Sequence, residues 1–482
     1  MVVVSPASAS LDAGGSATFS CTVSGSGDGA CTYAVAEPSG GSVTADGVYT
    51  APQSAGIYHV VATSHADPTR TATATVTVVS TGAPTPTPTY FVDATAGSDA
   101  AAGTSAATAW RSLARVNAAT LRPGDVVGFK RGETFSGTLI VRQSGAASAP
   151  IQLVAYGTGA MPVLDAGASE WAIQVAAGIG YVVIDGLVVR NAGNIGILLA
   201  DGAHHNVVRN CEITNVGTGI SSAGAYNVIT RNNIHDLHMV RNDATPDNDF
   251  GAMAVNLSFA SNVEVSHNRM VNCRAPSIDY GHDGGAVELW RSSSDVSIHH
   301  NYVQNCDGFL EAGGEAGDSV SRITVAYNVV VDMYSNFSCI HLGGGFAIGA
   351  SDLRFENNTV VGAADSDAYM IWFDVNPTAG MASFRNNILV LSPRMGLVSY
   401  GNSGFAHDHN LVWRTSGSAG TLGMTLGSAE TFADPQFVDL VGRNLHLQAG
   451  SPARGAGTGL GWSEDIDGNP VPASSPSLGA YE

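Results

Sequence analysis

Asparagine returns at one fixed place in a repeated short pattern, and this most constrains what the chain can fold into. The pattern is an apolar residue, a gap, a second apolar residue, two more residues, then Asn. It reads Val228-Ile-Thr-Arg-Asn-Asn233, Val263-Glu-Val-Ser-His-Asn268, Val296-Ser-Ile-His-His-Asn301 and Ile323-Thr-Val-Ala-Tyr-Asn328. Leu353-Arg-Phe-Glu-Asn-Asn358 and Phe405-Ala-His-Asp-His-Asn410 extend it, Asn387 fits less closely, and Cys211 and Leu187 fill the slot in the earliest repeats. A short amide sits well in a bend and bonds the backbone of its neighbour, and stacked amides form a ladder. The spacing between repeats drifts from 22 to 35 residues. Strands of fixed register joined by loops of variable length account for that drift. The expected architecture is an all-β solenoid whose repeats bury a common core by stacking.

Composition agrees. Only 13% of the 482 residues are charged and 58 are Gly, which suits short strands and tight turns better than long helices. The formal net charge of −20 excludes a nucleic-acid partner, which needs a basic face. It weighs less strongly against a polyanionic substrate such as pectate or alginate, because a local Arg patch overrides a global charge. Lys130 is the sole lysine. No stretch is apolar for the ~18 residues of a membrane helix. The start, Met1-Val-Val-Val-Ser-Pro, lacks the features of a secretion signal. The expectation is nevertheless a secreted monomer whose leader has been removed. Cys21 and Cys31 are close enough in sequence for a small-loop disulfide in an oxidising compartment. Cys273 and Cys306 each follow a ladder Asn by five residues and should stack, either as a disulfide or as two small buried hydrophobes.

Three segments are expected. Residues 1–80 contain short alternating strands and suit a small β-sandwich. Asp46-Gly-Val-Tyr-Thr-Ala-Pro52 within them resembles the bacterial immunoglobulin-like modules appended to secreted enzymes. Residues 81–89 alternate Thr and Pro, an extended linker. From Tyr90 the chain reads Tyr90-Phe-Val-Asp, Gly97-Ser-Asp99, Trp110-Arg-Ser-Leu-Ala-Arg-Val116 and Pro123-Gly-Asp-Val-Val. This resembles the start of pectate-lyase-like β-helix domains. The resemblance implies a right-handed parallel β-helix over 90–482, with Trp110, Leu113 and Val116 on one face of a helix that plugs its first turn. The segment from Asp434 to Glu482 resembles the usual ending of such proteins and is expected to close the other end.

A second strand in each repeat carries the chemistry. Gly-Ala-Val-Glu288-Leu and Gly-Phe-Leu-Glu311-Ala occupy matching places in successive repeats. Stacked strands lie about 4.8 Å apart, and retaining glycosidases hold their two carboxyls about 5–5.5 Å apart. Like charges stacked so closely are costly unless something uses them. Alternation places Asn256, Glu288, Glu311, His341 and one of Trp372 or Asp374 along one outer groove. The chain from Glu288 to Asn301 is four residues shorter than from Glu311 to Asn328, so exact stacking depends on where that excess is absorbed. Two insertions flank the groove: Asn242 to Phe250, with Asp243, Asp247 and Asp249, and Ile278 to Gly285, with Asp279, Tyr280, His282 and Asp283.

The favoured reading is a glycoside hydrolase of two-carboxylate, retaining type on a polysaccharide or oligosaccharide, with Asp283 as an alternative acid. The spacing of Glu288 and Glu311 resembles the catalytic pair of β-helix glycosidases that include retaining β-xylosidases. That resemblance implies Glu288 as nucleophile and Glu311 as acid/base. In that family the nucleophile is an Asp, from which Glu288 departs. Trp290, Trp372 or Tyr280 would stack on sugar. The runner-up is a polysaccharide lyase or epimerase with an Arg or Tyr/His base drawn from Arg291, Arg274, His282 and Tyr280, and Glu288 and Glu311 as calcium ligands. The third is a non-catalytic carbohydrate-binding solenoid. The hydrolase requires no cofactor; calcium is an option at Asp243, Asp247 and Asp249.

Overall fold

The structure is a computed structural model that describes residues 2–5, 8–12, 15–25, 27–37, 40–52, 56–79, 86–399 and 404–482. Most of the Thr-Pro linker, residues 81–85, lies outside the described residues. The chain divides into two compact units, Met1–Pro86 and Thr87–Glu482.

In the first unit a four-stranded and a three-stranded sheet, with one further strand pair, share a core that includes Phe19, Tyr49, Val60, Ala62 and Val76. Cys21 and Cys31 are disulfide-bonded there. Its strands are those of a small β-sandwich.

The second unit is a right-handed parallel β-helix built on three long parallel sheets of twelve, twelve and ten strands. Each strand pairs in parallel with its counterpart one turn later. The ladder sheet runs from Tyr90–Val92 to Ala406–Asp408, the flank sheet from Thr134–Ser136 to Thr431–Phe432, and the groove sheet from Leu139–Val141 to Gly396–Val398. Val, Ile and Leu at alternate positions of all three sheets fill one continuous core.

The amides form the expected ladder inside that core. The Oδ1 of Asn301 accepts from the backbone N–H and side-chain amide of Asn268 at 2.9 and 3.1 Å, while its own amide donates to the Val265 carbonyl at 2.9 Å. The pattern repeats through Asn232, Asn268, Asn301, Asn328, Asn358, Asn387 and Asn410. Two places differ from expectation. Asn232, not Asn233, is the ladder residue, because Val228 pairs with Glu264 rather than Val263. Asn387 is a full member, accepting from Asn358 at 3.0 and 2.9 Å. The residue before each ladder Asn (Arg231, His267, His300, Tyr327, Asn357, Asn386, His409) bends inward with φ of 51 to 58°. Cys273 and Cys306 are buried free thiols, so the packing alternative holds for that pair.

The first turn is plugged as expected by Leu113 and Val116 of the short helix Leu113–Asn117, N-capped by Ser112. Trp110 belongs not to that helix but to a bridge with Val92 before it, where it stacks on Tyr90 at 4.7 Å. At the far end, Leu422, Met424, Leu426 and Phe432 pack against the core. The segment from Asp434 onward lies elsewhere. Phe437, Leu445, Leu447 and Leu478 cover Val329, Val331, Ile388, Val390 and Leu411 of the flank sheet. The outer face of that sheet is apolar in its later turns, so burying it stabilises more than shielding an end that is already closed.

Candidate active site

Five successive strands of the groove sheet carry the site: Met253–Leu257, Gly285–Trp290, Gly308–Gly313, Ser338–Ile340 and Tyr369–Phe373. Val255, Val287, Leu310 and Leu289 turn inward and are buried. The residues between them turn outward and stack in one line, Asn256 on Glu288, Glu288 on Glu311, Glu311 on Cys339, and Cys339 on Trp372. The two glutamates are therefore direct partners on adjacent strands, spaced as any strand neighbours at about 4.8 Å.

His341 was expected in line with Glu311. Cys339 holds that place instead, and His341 stands one step past Ile340, beside Asp374, which stands one step past Phe373. His341 still belongs to the site, because its side chain reaches back. Its Nε2 lies 3.0 Å from Glu311 Oε1, and its Nδ1 lies 3.1 Å from Asp374 Oδ2. Asp374 is in turn fixed by the Trp372 indole N–H at 2.9 Å.

The paired carboxylates occupy unlike environments. Glu288 accepts one hydrogen bond from the Asn256 amide at 2.5 Å. Burial pushes its carboxyl up to about 8; the Glu311 charge adds to this and the Asn256 amide opposes it. Glu311 instead faces His341. Burial works against an imidazolium there, but the hydrogen bond to Glu311 and the charges of Glu311 and Asp374 outweigh it, so the imidazole holds its proton more tightly than a free one. Asp283 is also pushed up, to about 7, by burial that its Gly284 N–H bond only partly offsets, with Glu311 and Asp307 adding.

A cavity of about 50 Å³ opens beside Glu311, lined among others by Asp283, Asp307, Asn336 and Cys339. Asp307, Asn336 and Cys339 were missed by sequence reasoning. The signal was there for Asp307: Gly308 pairs with Gly285, so the acid at the entrance of one strand has a neighbour at the entrance of the next. Arg274 pairs with Asp307 at 2.9 Å and lies over the Tyr334 ring at 3.8 Å. A larger trough, about 390 Å³, runs over the ladder sheet beside Tyr226, Glu264 and His299, and among the described residues no stacked acid pair borders it.

The remaining candidates separate. Trp290 lies against Gly313, where an added Cβ would come 2.7 Å from its ring, and packs on Phe346 at 5.2 Å. Arg291 is turned from the glutamates and pairs with Glu315 and Asp318. Tyr280 and His282 are exposed on a hairpin formed by Ala275–Ser277 and Gly281–Asp283. The acidic loop latches onto that hairpin. Asp249 accepts from Ser277 Oγ and the N–H groups of Asp243, Ile278 and Asp279. Asp243 accepts from Thr245, Asn248 and Arg241. Asp247 sits at a turn with φ 57°. Among the described residues, the donors that converge as a metal set are Glu311, Cys339 and His341, within 4.8 Å of one another.

The fold is thus a right-handed parallel β-helix with a carboxylate-rich groove on one sheet. A family described as "Right handed beta helix region" matches residues 171–360. The lacto-N-biosidase of Bifidobacterium longum subsp. longum is 29% identical over 229 residues, 45% of this chain and 12% of that protein. The chain thus spans about an eighth of the length of that curated relative. Among solved structures, pectate lyase Pel9A superposes with a TM-score of 0.55 at 18% identity, covering 82% of this chain and 96% of that one. The GH136 lacto-N-biosidase from Eubacterium ramulus gives 0.45 at 16% identity, over 71% and 67% of the two chains. No helix is long and apolar enough to cross a membrane among the described residues.

Proposed function

We propose that the protein is a secreted glycoside hydrolase that cleaves an oligosaccharide or polysaccharide with retention, Glu311 serving as nucleophile and Glu288 as acid/base. The observation that carries this is the stacked pair Glu288–Glu311 in unlike surroundings, Glu288 against the Asn256 amide with its carboxyl pushed up by burial and Glu311 against His341. Glu288, protonated near neutral pH, gives its proton to the glycosidic oxygen as the C–O bond breaks. Glu311, which His341 Nε2 meets at 3.0 Å, attacks the anomeric carbon and forms a glycosyl ester. Esterification removes the Glu311 charge, which lowers the affinity of Glu288 for a proton. Glu288 is then suited to take one from the water that cleaves the ester, restoring both groups. These roles are the reverse of those implied by the resemblance to β-xylosidases.

The partial identity with a lacto-N-biosidase supports a hydrolase, whereas the likeness to a pectate lyase concerns the fold. An Arg or Lys base for a lyase is poorly supplied, because Arg274 is ion-paired to Asp307, Arg291 to Glu315 and Asp318, and Lys130 to Asp93, which leaves that reading to Tyr280 or His282. The Cys21–Cys31 disulfide fits an oxidising compartment.

The test is a saccharide panel that includes a lacto-N-biosidase substrate, read for new reducing ends and for the ultraviolet absorbance of unsaturated uronates. Reducing ends alone are expected, and Glu288→Gln and Glu311→Gln are each expected to lower the rate by about three or more orders of magnitude with the solenoid intact. An unsaturated product, or near-normal turnover by either variant, overturns the assignment.

A further inference from the structure

We infer that Glu311, Cys339 and His341 form a zinc-binding site, and that zinc or a similar thiophilic divalent ion switches the groove off by capturing Glu311. The inhibition rests on the proposed hydrolase, whereas the binding does not. His341 Nε2 lies 3.0 Å from Glu311 Oε1 and 3.7 Å from Cys339 Sγ, and all three donors lie within 4.8 Å of one another. A tetrahedral zinc with ordinary bond lengths separates such donors by about 3.3–3.6 Å. Adjustments of about 1 Å in one glutamate and one thiol therefore bring the three into place.

A second, independent feature points the same way. Zinc-ligating histidines almost always give their other ring N–H to a carboxylate or carbonyl, which fixes the tautomer and the ring plane. Asp374 stands 3.1 Å from His341 Nδ1, itself braced by Trp372 at 2.9 Å and by the Gly343 N–H at 3.4 Å. Nε2 is left to face Glu311 and Cys339. Cys339 also differs from the other free thiols, since Cys211, Cys273 and Cys306 are fully buried while Cys339 is only partly so, on the cavity beside Glu311. An imidazole, a thiolate and one carboxylate form a borderline-soft set that selects zinc over calcium or magnesium. Three protein donors leave a fourth position for water at the groove. On binding, the thiol loses its proton to solvent and His341 gives up the proton it shares with Glu311. The Glu311 oxygen that would attack sugar becomes a ligand.

The experiment uses the full chain and the metal alone. Equilibrium dialysis with zinc is expected to show one ion per chain, and cobalt is expected to produce a sulfur-to-metal charge-transfer band in the near ultraviolet. Cys339→Ser, its fold checked by circular dichroism, is expected to remove the band and weaken zinc binding by about 100-fold or more. Where a hydrolysable saccharide is in hand, zinc should inhibit the wild type reversibly under chelation, should spare Cys339→Ser, and calcium should do nothing. Absence of stoichiometric zinc binding, absence of the cobalt–sulfur band, or undiminished zinc affinity in Cys339→Ser overturns the site. Stoichiometric binding without inhibition overturns the switch and leaves the site standing. Failure of every saccharide to react would bear on the hydrolase reading alone, because dialysis and the cobalt spectrum need no substrate.

Discussion

Replacing Glu311 with Gln should make Glu288 a stronger acid, and the size of the change follows from the stacking. The two groups are direct register partners on adjacent strands, about 4.8 Å apart. Unit charges at that separation interact by about 3.5 kcal/mol at an effective dielectric constant near 20, equivalent to about 2.5 pH units. That is a ceiling, since the charges reorient and water enters the groove, so a fall of about one to two units is expected. Burial, the first cause of the elevation, survives the substitution, so Glu288 should still titrate above the ordinary 4.5 of a glutamate. The measurement is a pH titration of carboxyl-labelled glutamate by carbon NMR, with the Glu288 signal identified by its loss in Glu288→Gln. In the wild type it should titrate near 8. His341→Gln provides the opposite sign: removing the cation that lowers the Glu288 value should raise it. A wild-type Glu288 that titrates in the common carboxylate range, or one indifferent to Glu311→Gln, would refute the reasoning and with it the acid role.

Other consequences can be measured without a substrate. Asn301→Ala leaves the Asn268 N–H and the Val265 carbonyl unpaired in the core, which should cost about 2–5 kcal/mol in denaturant unfolding of the solenoid. His267, buried among His299, His300 and Arg231, has its affinity for a proton lowered to about 3, so the folded state excludes a proton that the unfolded chain accepts below about 6.5. Stability from this group is full above 6.5 and drains as pH falls toward 3. His267→Asn, the residue type that Asn357 and Asn386 place at the same inward bend, should flatten the acid decline in melting temperature. Asp249→Ala removes the acceptor that ties the acidic loop to the neighbouring hairpin, so limited proteolysis should begin within 242–250 while the rest of the solenoid resists.

The repeat was legible because a buried amide has few satisfactory places, and a fixed place in a turn returns as a fixed letter in the sequence. Where the reading slipped, two inward choices competed. Val228 and Thr230 fit the apolar-gap-apolar pattern as well as Ile229 does, and only the pairing of Ile229 with Val265 moves the ladder residue to Asn232. Ile340-His341-Leu342 imitates the apolar-polar-apolar frame of Leu310-Glu311-Ala312. The true frame is Ser338-Cys339-Ile340, hidden because the inward residue is a fully buried Ser338 and the outward one a cysteine. The cover of the flank sheet by the last segment was illegible for a different reason. Closing an end and covering a side both call for scattered apolar residues, and local pattern does not say which surface is left unshielded.

Side-by-side glutamates need more than a ladder, because the two turns that hold them differ in length. Trp290 pairs with Gly313 and Ser293 pairs with Val320. Between those fixed points the earlier turn has only Arg291 and Ser292, while the later one has residues 314–319, so the entire four-residue excess is confined to one turn beyond the groove strands. That turn is gathered by Asp318, which accepts from Ser292 at 2.8 Å, from the Glu315 N–H at 2.9 Å, and pairs with Arg291 at 3.0 Å. Arg291 was expected to meet substrate, yet its charge serves to clamp an insertion that would otherwise shift one glutamate past the other. The spacing of the two glutamates is thus set from outside the groove. A solenoid can lengthen its turns freely only where the excess is pinned before the next strand begins.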